Sequence, residues 1–154
     1  MPNATSSEAQ GIVVLVGLPG SGKSTYLDRL GVTPISSDAI RQLLADDATD
    51  QSIHGRVFST VRYLVRQRLA IGRPVTYVDA THLSRAERRP YIKIAQRYAC
   101  RVEALFFDVP LEVCLKRNHT RDRIVPDEAM RTMAAKLVPP NVDEGFSRVT
   151  VVRY

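Results

Sequence analysis

The stretch that decides the fold lies near the amino terminus, where the apolar run at 12–16 is followed at once by Gly17-Leu-Pro-Gly-Ser-Gly-Lys-Ser-Thr25. This is the complete pattern GxxxxGK[ST], and a strand before it and a helix after it are the context in which it forms a phosphate-binding loop. Glycine lets the loop turn its backbone N–H groups towards an oxyanion, and the helix adds its positive amino-terminal end. The sequence therefore predicts that a nucleoside triphosphate, ATP or another, contacts Gly17, Leu18, Pro19, Gly20, Ser21, Gly22, Lys23, Ser24 and Thr25.

Two side chains of this loop have specific predicted roles. Lys23 is expected to reach the β- and γ-phosphates as a mobile positive charge, and the Ser24 hydroxyl is expected to bind Mg²⁺, which prefers oxygen ligands. Asp79 follows the predicted strand at 75–78, where a carboxylate that holds Mg²⁺ directly or through water is expected. Capping of the following turn is an equally good interpretation of Asp79.

The remainder of the chain alternates short β-branched runs with longer helical patterns, which is typical of a parallel sheet covered by helices. Strands are predicted at 12–16, 34–36, 75–78, 101–107 and 148–153. Helices are predicted from 22 to 31, from Ser37 or Asp38, from 50 to 72, from the capping box of Ser84 and Glu87, and from first-turn prolines at 110 and 126. Pro90 predicts a kink or a late start in the fourth helix. We predict one doubly wound α/β domain at 12–154, preceded by a poorly ordered segment at 1–11.

Length and composition exclude several classes of protein. With 154 residues, 44% of them apolar and 25% charged, the chain matches one globular domain and not a disordered protein. No apolar run approaches the ~18–20 residues that span a bilayer, so no membrane partner is expected, and residues 1–11 do not resemble a secretory signal. Cys100 and Cys114 lie outside any CxxC pattern and are expected to be buried thiols, which favours a cytoplasmic location.

Positive charge is concentrated in the middle of the chain. The net charge is +6, and 15 basic against six acidic residues lie between Arg56 and Arg123. Eighteen of the 22 basic residues are arginines, whose planar fork of donors suits phosphate. The pattern indicates an anionic partner, a nucleic acid or a nucleotide, although solvated helix faces explain it equally well.

Asp38 and Arg41 are the candidate acceptor residues. Asp38 follows the predicted second strand, and a doubly wound sheet binds ligands beyond the carboxyl ends of its strands. A carboxylate there is expected to act as the general base for an incoming hydroxyl, which a kinase needs and a nucleotide hydrolase does not. Arg41 lies three residues later on the same helical face and is expected to bind an anionic group of the same acceptor. The alternative is that Asp38 is a helix cap and Arg41 a surface residue.

Three arginines follow the predicted helix that begins at Pro110. Arg117 and Arg121 are four residues apart and share a helical face, and together with Arg123 they are expected to form a lid over the triphosphate. Such arginines stabilise the charge on a transferring phosphoryl group, so Arg117 is also a candidate catalytic residue. The alternative is a basic helix end that complements the helix dipole.

The histidines carry little predicted chemistry. His82 and His119 lie in predicted loops, where isolated histidines are more often solvated than functional. No motif supports a role for His54.

Taken together, these residues resemble the 5′-kinase module of bacterial polynucleotide kinase-phosphatases, from Val13 to Tyr154. The resemblance includes GSGKST at 20–25, ISSD at 35–38 with Arg41, the acidic stretch at 46–51, VDAT at 78–81, VCLKRN at 113–118 and GF at 145–146. It implies a P-loop kinase fold, with a five-stranded parallel sheet flanked by helices and an arginine-bearing lid. It also implies transfer of the γ-phosphate of ATP, with Mg²⁺, to the 5′-hydroxyl end of DNA or RNA.

The resemblance assigns roles to individual residues. Asp38 would be the general base, Arg41 would bind the phosphate 3′ to the reacting nucleotide, and Arg117 and Arg121 would bind ATP phosphates. Because the family often forms oligomers, a homo-oligomer is a further implied partner. The spacing from Arg121 to Arg123 is one residue shorter than in the family, and the chain has no phosphatase or ligase module.

Two other functions remain open from the sequence. One is a kinase of the same fold that acts on a small hydroxyl compound such as a sugar, a nucleoside or an antibiotic. The other is a nucleotide-gated module that binds nucleic acid without catalysis.

Overall fold

The computed structural model describes residues 10–121 and 124–154. The strands in these residues are β1 (Gly11–Val16), β2 (Ile35–Ser36), β3 (Val75–Asp79), β4 (Arg101–Phe107) and β5 (Arg148–Val152). The helices are α1 (Lys23–Leu30), α2 (Ser37–Ala45), α3 (His54–Ala70), α4 (Arg85–Arg97), α5 (Leu111–Asn118) and α6 (Asp127–Lys136). Short 3₁₀ turns at Gln51–Ile53 and Val142–Glu144 precede α3 and β5.

The five strands form one parallel sheet in the order β2-β3-β1-β4-β5, which confirms the predicted α/β architecture. β1 is central, and its residue Val14 lies opposite Val78 of β3 and Ala104 of β4. Strands in this position are covered on both faces, which explains their nearly continuous apolar sequence. Since all strands are parallel, their carboxyl ends lie at one edge of the sheet. At this edge the glycine-rich loop follows β1, α2 follows β2, and Asp79 is the last residue of β3.

Different helices cover the two faces of the sheet. On one face, α3 packs against the sheet through Val57, Val61, Val65 and Leu69, which are all buried and are spaced by four residues. They lie in one apolar cluster with residues of β1, β3 and β4. Each such side chain contributes about 1.5–3 kcal/mol by leaving water. On the other face, Leu27 of α1 packs with apolar residues of β1 and β4. The helical pattern in the sequence is therefore the pattern that covers the sheet.

The start of α2 at Ser37 is one of the two predicted, but its cap differs from the prediction. The N-cap is Ser36, whose Oγ accepts a hydrogen bond from the Ala39 N–H, and not Ser37 or Asp38. The long helix predicted from residue 50 begins at His54, because the Asp50 side chain accepts a hydrogen bond from the Ser52 N–H and stabilises a 3₁₀ turn first. This change of geometry places His54 at the start of α3.

Prolines occupy other positions than expected. Pro110 and Pro126 are the N-cap residues of α5 and α6 and not their first helical residues. The capping box of Ser84 and Glu87 is confirmed, and α4 begins directly after it at Arg85. The late start that Pro90 predicted is therefore wrong, because the cap fixes the first turn and the helix continues through Pro90.

The last two residues of the segment predicted to be poorly ordered belong to the fold. Gly11 is the first residue of β1, and the Gln10 side chain donates hydrogen bonds to the carbonyl oxygens of Leu69 and Arg73. The rest of the segment predicted to be poorly ordered, residues 1–9, lies outside the described residues. Within the described part of the chain, no helix is long and apolar enough to cross a membrane.

A buried ion pair connects α4 to the turn before β5. Arg88 has no exposed surface, and its Nε and Nη2 donate to the two carboxylate oxygens of Glu144 at 2.9 Å each. The third bond, from Nη1 to the His82 carbonyl oxygen at 2.9 Å, fixes the loop after β3. Hydrogen bonds from Arg88 and Asn141 keep the pKa of Glu144 below its usual value although burial opposes them.

Replacing Arg88 with alanine is expected to lower the free energy of unfolding by about 3–5 kcal/mol, because Glu144 loses its buried partner. Urea unfolding followed by circular dichroism measures this loss. The exposed Arg89, next to it on α4, is the matched control, and Arg89→Ala is expected to change stability by less than about 0.5 kcal/mol. Equal effects of the two substitutions would show that the buried pair does not stabilise the fold.

Candidate active site

The glycine-rich loop is shaped by close contacts that exclude larger side chains. Gly20 and Gly22 have φ angles of +81° and +100°, which glycine adopts readily. A Cβ at Gly20 would lie 2.7 Å from the Cys114 carbonyl oxygen, and one at Gly17 would lie 2.8 Å from Ser21 Oγ. The loop therefore lies directly against the backbone of α5, which ties the position of the following arginines to the phosphate site.

Lys23 is bound to the loop itself. Its Nζ donates hydrogen bonds to the carbonyl oxygens of Gly17 at 2.8 Å and Leu18 at 3.0 Å. Burial lowers the pKa of Lys23 to about 8, and the nearby carboxylates of Asp79 and Asp38 limit that shift. Arg121 lowers the pKa further because it is a like charge. An arriving polyphosphate would supply the negative charge that this site lacks.

This pKa predicts how nucleotide affinity depends on pH. Phosphate binds the protonated amine, so the Kd for ATP is expected to rise as the pH increases through about 8, where free Lys23 loses its proton. Calorimetric titrations from pH 6.5 to 9.5 measure this. Lys23→Gln is expected to bind ATP more weakly at pH 7 and to show no such transition. A wild-type Kd that is constant up to pH 9.5 would contradict the assignment.

One large cleft, about 1180 Å³ in volume, opens at the carboxyl-terminal edge of the sheet. Of the predicted nucleotide-binding residues, 19–25 line it. Gly17 and Leu18 do not line it: they accept the Lys23 hydrogen bonds, and the Leu18 side chain packs in a small core cluster beneath the loop. Among the described residues, six basic and three acidic side chains line the cleft, namely Lys23, Arg29, Arg41, Arg117, Arg121 and Arg153 against Asp38, Asp79 and Glu87. The excess of positive charge suits a polyanionic ligand.

Asp38 and Arg41 lie together in this cleft on the first turns of α2. Arg41 Nη1 is 3.4 Å from Asp38 Oδ1, and the exposed fractions of the two side chains are 5% and 49%. Arg41 Nη2 lies 3.5 Å from His54 Nδ1, and its Nε is buried without a hydrogen-bond partner among the described residues. A buried guanidinium that lines a cleft and has an unused donor is suited to binding an anion.

The predicted arginines approach the loop from α5 and the turn after it. Arg117 and Arg121 both line the cleft, and Arg117 Nη1 lies 3.5 Å from the point that a Cβ at Gly22 would occupy. Arg121 Nη1 is buried, and no described residue accepts a hydrogen bond from it. These observations fit a group with several oxygens above the loop, such as a triphosphate. Arg123 lies outside the described residues.

The turn that carries Arg121 is fixed at its base by Asn118, which the sequence did not single out. Asn118 is fully buried, its Nδ2 donates to the Val125 carbonyl oxygen at 2.6 Å, and its Oδ1 accepts from the Val125 N–H at 3.0 Å. This pair of bonds joins the end of α5 to the segment before α6. Asn118 therefore has a positioning role for the arginines on either side of it.

The candidate metal ligands lie at the same cleft. Ser24 and Asp79 both line it, and burial raises the pKa of Asp79, while the positive charge of Lys23 acts in the opposite direction. No group of three or more histidine, cysteine, aspartate or glutamate side chains suitable for a metal occurs in the described ranges. A hydroxyl and a carboxylate suit Mg²⁺, which retains several waters and takes its other ligands from substrate phosphates.

The structure changes the interpretation of two of the three histidines, His82 and His54. His82 is not solvated: it is buried with a φ of +45°, its Nδ1 is 2.5 Å from the Leu15 carbonyl oxygen, and burial lowers its pKa to about 4. His119 is half exposed and forms a 2.8 Å contact with Asp127. His54, for which the sequence offered no role, lines the cleft beside Arg41.

Known proteins share this sequence pattern and this fold. A family model described as an AAA domain (AAA_33) matches residues 12–140. L-seryl-tRNA(Sec) kinase of Mus musculus is 36% identical over 76 residues, which are 49% of this chain and 21% of the relative. The bifunctional polynucleotide phosphatase/kinase of Schizosaccharomyces pombe is 25% identical over 153 residues, which are 96% of this chain and 35% of the relative.

A solved structure agrees with the fold. In the structure of the Pnkp1/Rnl/Hen1 RNA repair complex, one chain matches 84% of this chain with a TM-score of 0.71 and 23% identity, over 44% of its own length. This match shows the P-loop kinase fold. The chain spans only about a fifth to a third of the length of the two curated relatives.

Proposed function

The chain belongs to the AAA_33 family of AAA domains and has the P-loop kinase fold, and from that premise we propose that it transfers the γ-phosphate of ATP to the 5′-hydroxyl end of a nucleic acid. The observation that carries the proposal is the arrangement of Asp38 and Arg41 in one cleft with Lys23. It provides a base for a hydroxyl, a site for an acceptor phosphate and a site for the donor phosphates. The similarity to a bifunctional polynucleotide phosphatase/kinase and to L-seryl-tRNA(Sec) kinase supports an acceptor that is, or carries, a nucleic acid.

The donor half of the site is the glycine-rich loop with its neighbouring cations. In the proposed complex, Lys23 leaves the carbonyl oxygens of Gly17 and Leu18 and binds the β- and γ-phosphates of ATP. Arg117 and Arg121 bind phosphate oxygens from the opposite side. Ser24 and Asp79 would hold Mg²⁺, which neutralises negative charge on the phosphates when bound.

The acceptor half is Asp38 with Arg41. Asp38 accepts the proton of the 5′-hydroxyl while the hydroxyl oxygen forms a bond to the γ-phosphorus of ATP. The bond between that phosphorus and the β–γ bridging oxygen breaks, so ADP leaves with the electron pair. Charge on the transferring group is stabilised by Lys23 and the arginines, which are in place before the reaction. Arg41 binds the phosphate 3′ to the reacting nucleotide and so holds the hydroxyl beside Asp38.

Transfer to a series of acceptors tests the acceptor class. With labelled ATP, a 5′-hydroxyl oligonucleotide is expected to have a much higher kcat/KM than a nucleoside or a sugar, and this advantage is expected to fall steeply as salt rises. Arg41→Gln is expected to raise the KM for the oligonucleotide and to leave that for the nucleoside unchanged. The control is Arg131→Gln, an exposed position of α6 outside the cleft. A sugar or nucleoside preferred over the oligonucleotide would identify a small-molecule kinase instead.

A further inference from the structure

An aromatic pair lies on the acceptor side of the cleft, and the proposed chemistry does not use it. The rings of His54 and Phe58, one turn apart at the start of α3, have centroids 4.7 Å apart and planes inclined by 43°. Both residues line the cleft; His54 is exposed and Phe58 is half-buried. Phe58 packs partly on the core, His54 is exposed, and both rings line the cleft, so the pair is a candidate binding surface.

The Arg41 guanidinium joins this pair to the reacting group. Its Nη1 faces Asp38 at 3.4 Å, and its Nη2 faces His54 at 3.5 Å. The Asp38 carboxylate, the Arg41 guanidinium and the aromatic pair therefore lie in that order across the cleft. An oligonucleotide end has a matching order: the 5′-hydroxyl of the first nucleotide, the phosphate that follows it, and the base of the second nucleotide.

We propose that His54 and Phe58 bind the nucleobase of the second nucleotide of the acceptor by stacking, on the far side of the phosphate that Arg41 holds. This inference rests on the proposed function and extends it, because it makes the substrate an oligonucleotide of at least two nucleotides. Stacking on aromatic rings tolerates any base, since every base has a π-face. The pair therefore favours nucleic acid as a class and selects no particular sequence.

The test measures the Kd of 5′-hydroxyl hexanucleotides with a 3′-fluorescent label, by fluorescence anisotropy, for acceptors that lack one base. Loss of the second base is expected to weaken binding by wild-type protein about five- to a hundredfold, and loss of the fifth base is expected to change it less than twofold. Transfer of labelled γ-phosphate is measured on the same oligonucleotides, so that binding and catalysis are read separately.

Two substitutions at His54 separate stacking from support of Arg41. His54→Phe keeps the ring and loses the contact with Arg41, whereas His54→Asn keeps a polar group and loses the ring. We call the loss of affinity for an acceptor that lacks its second base the penalty. His54→Phe is expected to retain this penalty, and His54→Asn is expected to abolish it. Phe58→Leu, which keeps the apolar volume that packs on the core, is expected to abolish it as well. Tyr63→Leu, an exposed ring of α3 outside the cleft, is the control.

The binding and transfer measurements test the stacking site and the kinase activity separately. If the wild-type penalty is absent, or if it persists in either His54→Asn or Phe58→Leu, the stacking site as proposed is wrong even where transfer proceeds. If the penalty follows the rings but no phosphate is transferred, the stacking site stands and the proposed kinase activity fails. If the oligonucleotide does not bind at all, both proposals are wrong.

Discussion

Replacing Asp38 with asparagine is expected to lower the rate of phosphoryl transfer by about 10²–10⁴, the usual contribution of a general base. Asparagine keeps an oxygen that accepts the 3.4 Å contact from Arg41, so the acceptor site retains its shape. It cannot take the proton of the hydroxyl. Because the substitution also removes a negative charge from the neighbourhood of Lys23, the affinity for ATP is expected to be unchanged or slightly higher. Single-turnover transfer at saturating ATP and acceptor measures the chemical step.

Asp46→Asn is the matched control for this substitution. Asp46 ends the same helix, is exposed and lies outside the cleft, and its φ of +60° is one that asparagine also accepts. Its transfer rate is expected to equal that of the wild type. A folded Asp38→Asn protein with wild-type single-turnover rates would exclude Asp38 as the base.

Replacing Arg121 with alanine is expected to lower kcat by about 10³–10⁵, the range found for arginines that stabilise a transferring phosphoryl group. Its buried Nη1, without a partner among the described residues, is the donor expected to meet that group. Arg121→Lys keeps the charge and loses the planar fork, so it is expected to recover only part of the rate. Stopped assays at saturating ATP measure kcat.

The exposed Arg131 on α6 provides the control for charge alone, and Arg131→Ala is expected to leave kcat unchanged. If Arg121→Ala instead raised the KM for ATP and left kcat unchanged, Arg121 would bind the ground state and the transition state equally well. In that case, Arg121 would be a binding residue without a specific part in transfer.

The sheet and the shape of the glycine-rich loop could be predicted from the sequence because these depend on local patterns. The glycines of the loop are required by positive φ angles and by contacts such as that of Gly20 with the Cys114 carbonyl oxygen. Because only glycine meets these requirements, the glycines occur at a fixed spacing that can be recognised in the sequence. The strands buried on both faces, such as β4, likewise leave continuous apolar runs, and β4 was predicted with its observed bounds.

Side chains that act through distant contacts could not be predicted. His54 reaches Arg41 only because the 3₁₀ turn after Asp50 sets the start of α3, and Asn118 bonds to Val125, which lies seven residues later in the chain. His82 was misread as a solvated residue because its burial depends on Leu15 and Tyr91, which come from other elements. A single histidine or asparagine has the same appearance in a sequence whether it is buried or solvated.

The position of the phosphate on the product is the sharpest test of whether this protein is a 5′-hydroxyl kinase. Wild-type protein, ATP labelled at the γ-phosphate, Mg²⁺ and a 5′-hydroxyl oligonucleotide are incubated, and the labelled product is digested to nucleotides for chromatography. We expect one labelled phosphate per oligonucleotide, on the 5′ oxygen of its first nucleotide. Label recovered only as inorganic phosphate, or on any other hydroxyl, would contradict it.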